Sequence, residues 1–300
     1  MPRPRPIIVA SDLSPASDPA VTRGLQLAGR DERPVIALHA IHEEPLWWVM
    51  MSRDLDPDTL REDLRIESVA ALQRQVEEAA GRLGSDPART DCRVRFGKPA
   101  PLLAELADGT GAAMIVVGAH GRHAVRDWFV GTTAEKMVRS SRVPVLVTRT
   151  EPTHGYQEVV VGVDFSESSR AALAQALAFA PDARYTLVHA YETWFETYIS
   201  EATYERLRRD HEDALLDRLR AFGREAGLQA CHEPDYRVVA GHPGSVVIEA
   251  ASRAHADLTV CGTQGATGLR HLLLGSVAQH VLRESRRDVL TVHAPEGTAP

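Results

Sequence analysis

The chain has 300 residues, of which 44% are hydrophobic and 25% are charged, which is an ordinary globular composition. This length favours two domains over one. The formal net charge of −7 argues against a nucleic acid as the main partner, because a phosphate backbone is bound by basic surfaces.

Apolar, β-rich runs alternate with helical patterns along the whole chain. The predicted strands are 7–11, 35–41, 93–96, 114–118 and 143–148, followed by 159–163, 185–190, 236–240, 258–262 and 289–293. The predicted helices are 60–83, 101–107, 171–180, 201–226 and 244–255, with one more at the end of each half. Nearly continuous apolar strands separated by helices are typical of a parallel sheet covered on both faces. Five strands in each half indicate a doubly wound α/β fold, whose ligands bind beyond the carboxyl ends of the strands, where the strand order reverses.

The second half of the chain repeats the first. Ile7–Ser14 reappears as Val159–Ser166, and residues 97–148 match residues 241–292 at one constant offset without a gap. A register held over that length predicts two copies of one domain in tandem. The boundary falls in the loop at 150–158, which gives domains of residues 1–150 and 151–300.

The cysteines and the hydropathy pattern indicate the compartment. Cys92, Cys231 and Cys261 lie far apart without a Cys-x2-Cys pair, which is typical of a reducing environment. The sequence shows no signal-peptide pattern at its N-terminus and no uninterrupted apolar run of membrane-spanning length. We therefore expect a cytoplasmic protein with no membrane partner.

One glycine pattern, Gly-x2-Gly-x9-Gly-(Ser/Thr), recurs in both halves. It occupies Gly118, Gly121, Gly131 and Thr132 in the first half and Gly262, Gly265, Gly275 and Ser276 in the second. Gly118 and Gly262 end the fourth strand, where a missing side chain allows a ligand to approach the backbone. Gly131 and Gly275 open the last helix, where free N–H groups and the helix dipole favour a phosphate. The alternative is that these glycines only cap helices and form turns, but their matched spacing in two copies favours phosphate binding.

The first strand of each half ends in an aspartate, Asp12 or Asp164. A carboxylate there would accept a hydrogen bond from a ribose hydroxyl or help to hold a metal ion. The alternative is a helix N-cap, since a serine follows two residues later at a helix start. The glycine pattern in the same half favours the ligand.

On the basis of these residues, the chain resembles a tandem member of the universal stress protein family, whose nucleotide-binding branch carries this glycine pattern. The resemblance implies a Rossmann-like fold of the adenine nucleotide alpha hydrolase type, with ATP, with or without Mg²⁺, bound between the first and fourth strands. It implies adenosine contacts at Ser11, Asp12, Ala40 and Val117 in the first half and at Val163, Asp164, Ala190 and Cys261 in the second. It implies phosphate contacts at Gly118, His120, Gly121, Gly131, Thr132 and Thr133, and at Gly262, Gln264, Gly265, Gly275, Ser276 and Val277.

The two predicted sites are not identical. His120 in the first half corresponds to Gln264 in the second, so we expect the sites to differ in phosphate affinity and in pH response. Thr133 stands where the family usually has Val, and both halves have Ala where a second hydroxyl is common, at Ala134 and Ala278. No glycine of the pattern is lost, so both sites are retained.

Several other kinds of site are not indicated. There is no Gly-x4-Gly-Lys-(Ser/Thr) loop and no Gly-x-Ser-x-Gly elbow. The scattered histidines lack metal-ligand spacing, so no metal site is predicted. His39 and His189 lie within apolar strands and are interpreted as hydrogen-bonded core residues.

These features predict an ATP-binding stress sensor or regulator, because no general base or arginine finger is evident. Two alternatives stay open. One is a slow ATPase or autophosphorylating enzyme, since hydroxyls would lie near the terminal phosphate. The other is a nucleotide-free interaction scaffold. We expect an intramolecular pseudo-dimer of the halves through their last strands, with a homodimer of whole chains as a further possibility. The apolar segment Pro45–Met51 would cover the pocket mouth or a subunit surface, or pack in the core.

Overall fold

A computed structural model describes residues 4–42, 56–121, 130–192, 200–228, 234–264 and 274–294. The chain divides into two compact units, Met1–Gly155 and Tyr156–Pro300. The predicted contacts at Gly265 and the apolar segment Pro45–Met51 lie outside the described residues. No helix among the described residues is both long enough and apolar enough to cross a membrane.

The first unit is a five-stranded parallel sheet with helices between its strands. Its strands are β1 (Ile7–Ser11), β2 (Val35–Ile41), β3 (Thr90–Phe96), β4 (Met114–Gly118) and β5 (Val145–Thr148). Its helices are α1 (Asp18–Arg30), α2 (Pro57–Leu83), α3 (Pro99–Thr110) and α4 (Thr132–Ser140). The strand order is β3-β2-β1-β4-β5, so the order reverses between β1 and β4.

The second unit repeats this arrangement. Its strands are β6 (Glu158–Gly162), β7 (Arg184–Tyr191), β8 (Asp235–Ala240), β9 (Leu258–Gly262) and β10 (Asp288–Val292). Its helices are α5 (Glu167–Phe179), α6 (Glu201–Glu225), α7 (Pro243–Arg253) and α8 (Ser276–Glu284). The order β10-β9-β6-β7-β8 places the reversal between β6 and β9. The predicted doubly wound α/β fold is confirmed in both units.

Burial explains why the central strands read as continuous apolar runs. Ile7, Ile8 and Val9 of β1 are fully buried, and Met114–Val117 of β4 are buried as well. Both faces of these strands are covered, so neither face selects polar residues. The outer strands β3 and β8 have no fully buried residue, which accounts for the predicted start of β3 at residue 93 rather than Thr90.

Local capping signals fix several helix ends. The side chain of Asp56 accepts from the Thr59 amide at 3.0 Å and starts α2. That helix ends at Gly84, whose φ of 62° lies in the left-handed region that glycine adopts readily. Ser166 and Ser200 cap α5 and α6 in the same way as Asp56 caps α2.

Helix α1 was not among the predicted helices. Its side chains Thr22 and Arg23 are buried although they are polar, and this obscures the apolar face. The Thr22 hydroxyl donates to Glu151 at 2.6 Å, and the Arg23 guanidinium donates to the His154 carbonyl at 2.9 Å. These contacts give both buried polar side chains hydrogen-bond partners, which offsets part of the cost of burying them.

We predict that two glycine substitutions in α1 have different effects on stability. A Cβ at Gly24 would lie 2.2 Å from Cγ2 of Val9, a stiff β-branched residue in β1. Gly24→Ala should therefore lower the free energy of unfolding by about 1 to 3 kcal/mol through overpacking. A Cβ at Gly29 meets nothing within 4 Å, so Gly29→Ala should be neutral or stabilise by up to about 1 kcal/mol. Urea denaturation followed by circular dichroism measures both, and an equal response of the two variants would contradict the packing.

Candidate functional site

An aspartate turn follows the first strand of each unit. Oδ1 of Asp12 accepts from the Ser14 amide at 3.0 Å and from its hydroxyl at 2.6 Å. Oδ1 of Asp164 makes the same pair of bonds with Ser166, at 3.0 and 2.5 Å. The aspartates are therefore turn-forming residues that precede the helix starts, and the N-cap of α5 is Ser166.

A left-handed residue lies inside each turn, and no feature of the sequence predicts it. Leu13 has a φ of 59° and Phe165 a φ of 63°. Such a backbone costs a residue other than glycine about 1 to 3 kcal/mol and persists only where the surroundings hold it. The turn directs the Asp12 carboxylate toward the loop after β4, where its Oδ2 lies 3.2 Å from the place of a Cβ on Gly121.

The glycines that end β4 and β9 are required by close backbone packing. A Cβ at Gly118 would lie 3.1 Å from the carbonyl oxygen of Ala16 and 3.2 Å from that of His120. A Cβ at Gly262 would lie 2.4 Å from the Ser168 hydroxyl. The fourth strand therefore ends close to the segment that follows the first strand, which is the turn at Ala16 in the first unit and the first turn of α5 in the second.

The last helix of each unit begins without a side-chain cap. Gly131 and Gly275 are the N-caps of α4 and α8, with φ and ψ of −61° and 148° and of −58° and 147°. Their own amides donate to the carbonyls of Ala119 at 2.7 Å and Thr263 at 2.8 Å, which fixes them beside the fourth strand. The amides of the next three residues have no acceptor within their helix, as at any helix start. Such N–H groups, together with the helix dipole, favour an anion.

The loop after β4 carries an unsatisfied nitrogen. Nδ1 of His120 is buried, and it has no hydrogen-bond partner among the described residues. Burying a polar atom without a partner is unfavourable, so a ligand that offered one would be stabilised there. The matching loop of the second unit has a hydrogen bond that the first unit lacks. The Ser168 hydroxyl donates to the backbone carbonyl of Gln264. The first unit has Ala16 at the matching position, and alanine has no hydroxyl to donate.

One histidine in each unit fixes the end of the first strand. Nδ1 of His39 donates to the Ser11 carbonyl at 2.9 Å, and Nδ1 of His189 donates to the Val163 carbonyl at 2.8 Å. Burial lowers the pKa of His189, which favours its neutral form. Both histidines therefore have the hydrogen-bonded core role that the sequence predicts.

The first unit holds its aspartate turn through a hydrogen-bond network centred on Gln75 of α2. Its Oε1 accepts from the Ser11 hydroxyl at 2.5 Å. Its Nε2 donates to Asp18 Oδ1 at 2.6 Å and to the Ser17 hydroxyl at 3.1 Å. The Ser11 hydroxyl in turn accepts from the amide of Leu13, the left-handed residue, at 2.9 Å.

The second unit holds the same turn through rings and a cation. The ring of Phe165, the left-handed residue, lies 4.5 Å from the His189 ring and 5.9 Å from the Phe222 ring, between centroids. The Arg218 guanidinium lies 4.0 Å above the Phe165 ring, a cation–π contact. Since Val163 replaces Ser11 here, a glutamine would have no hydroxyl to accept from.

The other predicted site residues line the ends of the strands. Val117 and Cys261 are buried in β4 and β9, Val163 is buried after β6, and Ala40 and Ala190 are half-buried in β2 and β7. Burial, with the nearby charge of Asp164, raises the pKa of Cys261 to about 12, so this residue is an apolar thiol. Thr132, Thr133, Ser276 and Val277 occupy the first turns of α4 and α8.

The start of α4 lies close to the loop after β4. A Cβ at Gly131 would lie 3.4 Å from the Ala119 carbonyl, 3.9 Å from the Gly121 amide and 4.0 Å from Cα of His120. Gly118 packs beside the turn that carries Asp12. Ala40 lies in β2, the strand that pairs with β1. Within the described ranges no group of three or more His, Cys, Asp or Glu side chains is placed to hold a metal ion.

The chain is similar to known proteins over nearly its whole length. The universal stress protein family model matches residues 4–149 and 155–293. Universal stress protein Rv2005c of Mycobacterium tuberculosis is 27% identical over 296 residues, which cover 95% of each chain. Universal stress protein Rv2623 of the same organism is 27% identical over 294 residues, again with 95% of each chain covered.

The fold is also found in solved structures. A universal stress protein from Archaeoglobus fulgidus superimposes with a TM-score of 0.64 at 17% identity, covering 96% of this chain and 98% of that one. Two matched segments, a doubled glycine pattern and full-length relatives lead to one assignment. The chain belongs to the universal stress protein family, and it carries two copies of the family's domain in tandem.

Proposed function

We propose that each domain binds an adenine nucleotide, ATP with or without Mg²⁺, and that the chain acts as a cytoplasmic stress sensor or regulator. The observation that carries the proposal is the uncapped start of α4 and of α8 beside the glycine-ended fourth strand. Free N–H groups at a helix start are suited to phosphate, and the same arrangement occurs twice in one chain.

The phosphates would occupy the space between the loop after the fourth strand and the start of the last helix. In the first domain this assigns them to Gly118, His120, Gly121, Gly131, Thr132 and Thr133. In the second domain it assigns them to Gly262, Gln264, Gly265, Gly275, Ser276 and Val277. In this arrangement N–H groups bind the phosphates, and charged side chains do not. We therefore expect the shape of the site to select a phosphate ester over a carboxylate.

The nucleoside would lie toward the first two strands. We assign the ribose to the carboxylates of Asp12 and Asp164 and the base to the apolar walls at Val117 and Cys261. Ala40 and Ala190 leave room for the base because their side chains are small. The hydroxyl of Ser11 is already bonded to Gln75 and to the Leu13 amide, so its role here is to hold the turn.

The two domains are proposed to form an intramolecular pseudo-dimer through their last strands. Each of these strands would otherwise be an exposed sheet edge, which proteins generally protect. This pairing stays a prediction.

Substituting the N-cap glycines tests the phosphate assignment. The backbone angles of Gly131 and Gly275 suit a β-branched residue, and a Cβ at Gly131 meets only ordinary contacts. Gly131→Val and Gly275→Val should each remove one of two bound nucleotides per chain, because the side chain blocks approach to the helix start. Isothermal titration with ATP measures the stoichiometry.

Gly109→Ala is the matched control, since a Cβ there meets nothing within 4 Å. It should bind two nucleotides, and all three variants should keep the unfolding temperature of the parent. Undiminished binding in the Gly131→Val, Gly275→Val double variant would refute the assignment. Measuring phosphate release in the same samples tests for slow hydrolysis.

The two ways of holding the aspartate turn predict domain-specific effects. Gln75→Leu removes four hydrogen bonds around the first turn, and Arg218→Leu removes the cation above Phe165. We expect Gln75→Leu to weaken ATP binding in the first domain by about 1 to 2 kcal/mol, the net value of one or two hydrogen bonds. Arg218→Leu should affect only the second domain. Titrations in the Gly275→Val and Gly131→Val backgrounds isolate each domain, and an effect on the wrong domain would count against the proposal.

The histidine beside the first phosphate site predicts a difference in affinity between the domains. Nδ1 of His120 is buried and has no hydrogen-bond partner among the described residues, so a nucleotide that offered one would be stabilised there. His120→Ala should therefore weaken ATP binding in the first domain by about 1 kcal/mol, the net value of one hydrogen bond. Titration in the Gly275→Val background isolates the first domain. Parent-like affinity there would mean that His120 is not a nucleotide contact.

A further inference from the structure

We propose that His242 and His280 form a two-histidine site for a divalent transition-metal ion, with Zn²⁺ as the probe. His242 is the N-cap of α7, and His280 lies in α8. Their ring centroids are 5.6 Å apart with an interplanar angle of 61°. The inference does not depend on nucleotide binding.

The nitrogens of both rings are available for a ligand. Among the described residues neither imidazole takes part in a hydrogen bond or an ion pair, and His242 makes no side-chain cap to its helix. Neutral imidazole is the commonest metal ligand in proteins and suits zinc, copper and nickel. Two unengaged imidazoles side by side therefore offer two ligands, and water would complete the coordination.

The separation of the rings fits a shared ion. A ligating nitrogen lies about 2.1 Å from Zn²⁺, which puts the ring centre about 3.2 Å from the ion. Two such rings have centres about 4.5 to 5.8 Å apart for N–Zn–N angles of about 90 to 130 degrees. The observed distance lies within this range, and rotation of the exposed His242 side chain would turn a nitrogen toward the ion.

A glycine makes the juxtaposition possible. A Cβ at Gly244 would lie 2.8 Å from Cβ, Cγ and Cδ2 of His280, so any side chain at Gly244 would displace the His280 ring. His280 therefore lies directly over the first turn of α7, beside the N-cap histidine. An ion bound there would link α7 to α8, the helix whose start is the proposed phosphate site of the second domain.

The first domain provides an internal comparison. The positions that match His242, Gly244 and His280 are Lys98, Ala100 and Lys136. A lysine ammonium has three donors and no lone pair for a metal. We therefore expect one ion per chain, in the second domain only. Because the start of α7 disfavours a cation, we expect moderate affinity.

Isothermal titration of the tag-free, chelator-treated full chain with ZnCl₂ tests the proposal. We expect one equivalent at this site. His242→Gln and His280→Gln should each weaken Zn²⁺ binding at least about tenfold. Even the loss of a residue that only supports a metal ligand lowers metal affinity by about that factor. His154→Ala, which removes an exposed histidine of the first unit, is the control and should leave the binding unchanged.

Gly244→Ala is the sharper variant, because it keeps both histidines and displaces one of them. It should lose zinc affinity as the histidine substitutions do, while circular dichroism shows the fold intact. Parent-like zinc affinity in any of these three variants would overturn the proposal. Absence of the zinc equivalent from the parent chain would overturn it too. Binding of inorganic phosphate in place of zinc, lost in the same variants, would assign an anion site and also contradict it.

Discussion

At the reversal point of each sheet, the end of the fourth strand packs closely against the segment that follows the first strand, and this packing positions every other part of the site. Because the first and fourth strands are neighbours, the loops that leave their carboxyl ends meet over the sheet. The main chain at Ala16 and the side chain of Ser168 occupy the space where a Cβ on Gly118 or Gly262 would stand. Packing within the unit therefore requires glycine at the end of the fourth strand, whether or not a ligand binds there.

That packing places a helix start beside the aspartate turn. The amides of Gly131 and Gly275 are tied to the loop after the fourth strand, so the first turns of α4 and α8 begin at the same edge of the sheet as the turns at Asp12 and Asp164. The free N–H groups of the helix start, which favour an anion, and the aspartate carboxylate, which can accept from a hydroxyl, are therefore fixed at the same edge of one sheet. A nucleotide carries both kinds of group, and this supports the proposal that each domain binds one.

The two domains reach this geometry by different chemistry. The first stabilises its left-handed residue with a glutamine and serine network, the second with stacked rings and an arginine. A hydrogen-bond network is directional, whereas ring packing tolerates small shifts. The tandem chain therefore carries two aspartate turns of one design with different supports.

The sequence predicts the sheet and the glycine positions but not the support around them. Ile7–Ser11 and Met114–Gly118 are predicted accurately, because strands buried on both faces show continuous apolar runs. Leu13 and Phe165 give no warning of a left-handed backbone, since neither is Gly or Asn. Gln75 contacts Ser11 from a different helix, and such contacts leave no local pattern. The His242–His280 pair is missed for the same reason.

Native mass spectrometry counts the nucleotides that one chain binds, which we propose to be two. The purified full chain is sprayed with increasing ATP, and the ligand that copurifies is released and weighed. We expect adducts of one and then two nucleotides per chain, and an adenine nucleotide among the released species. A chain that stays unliganded at saturating ATP, or that never exceeds one nucleotide, would contradict it.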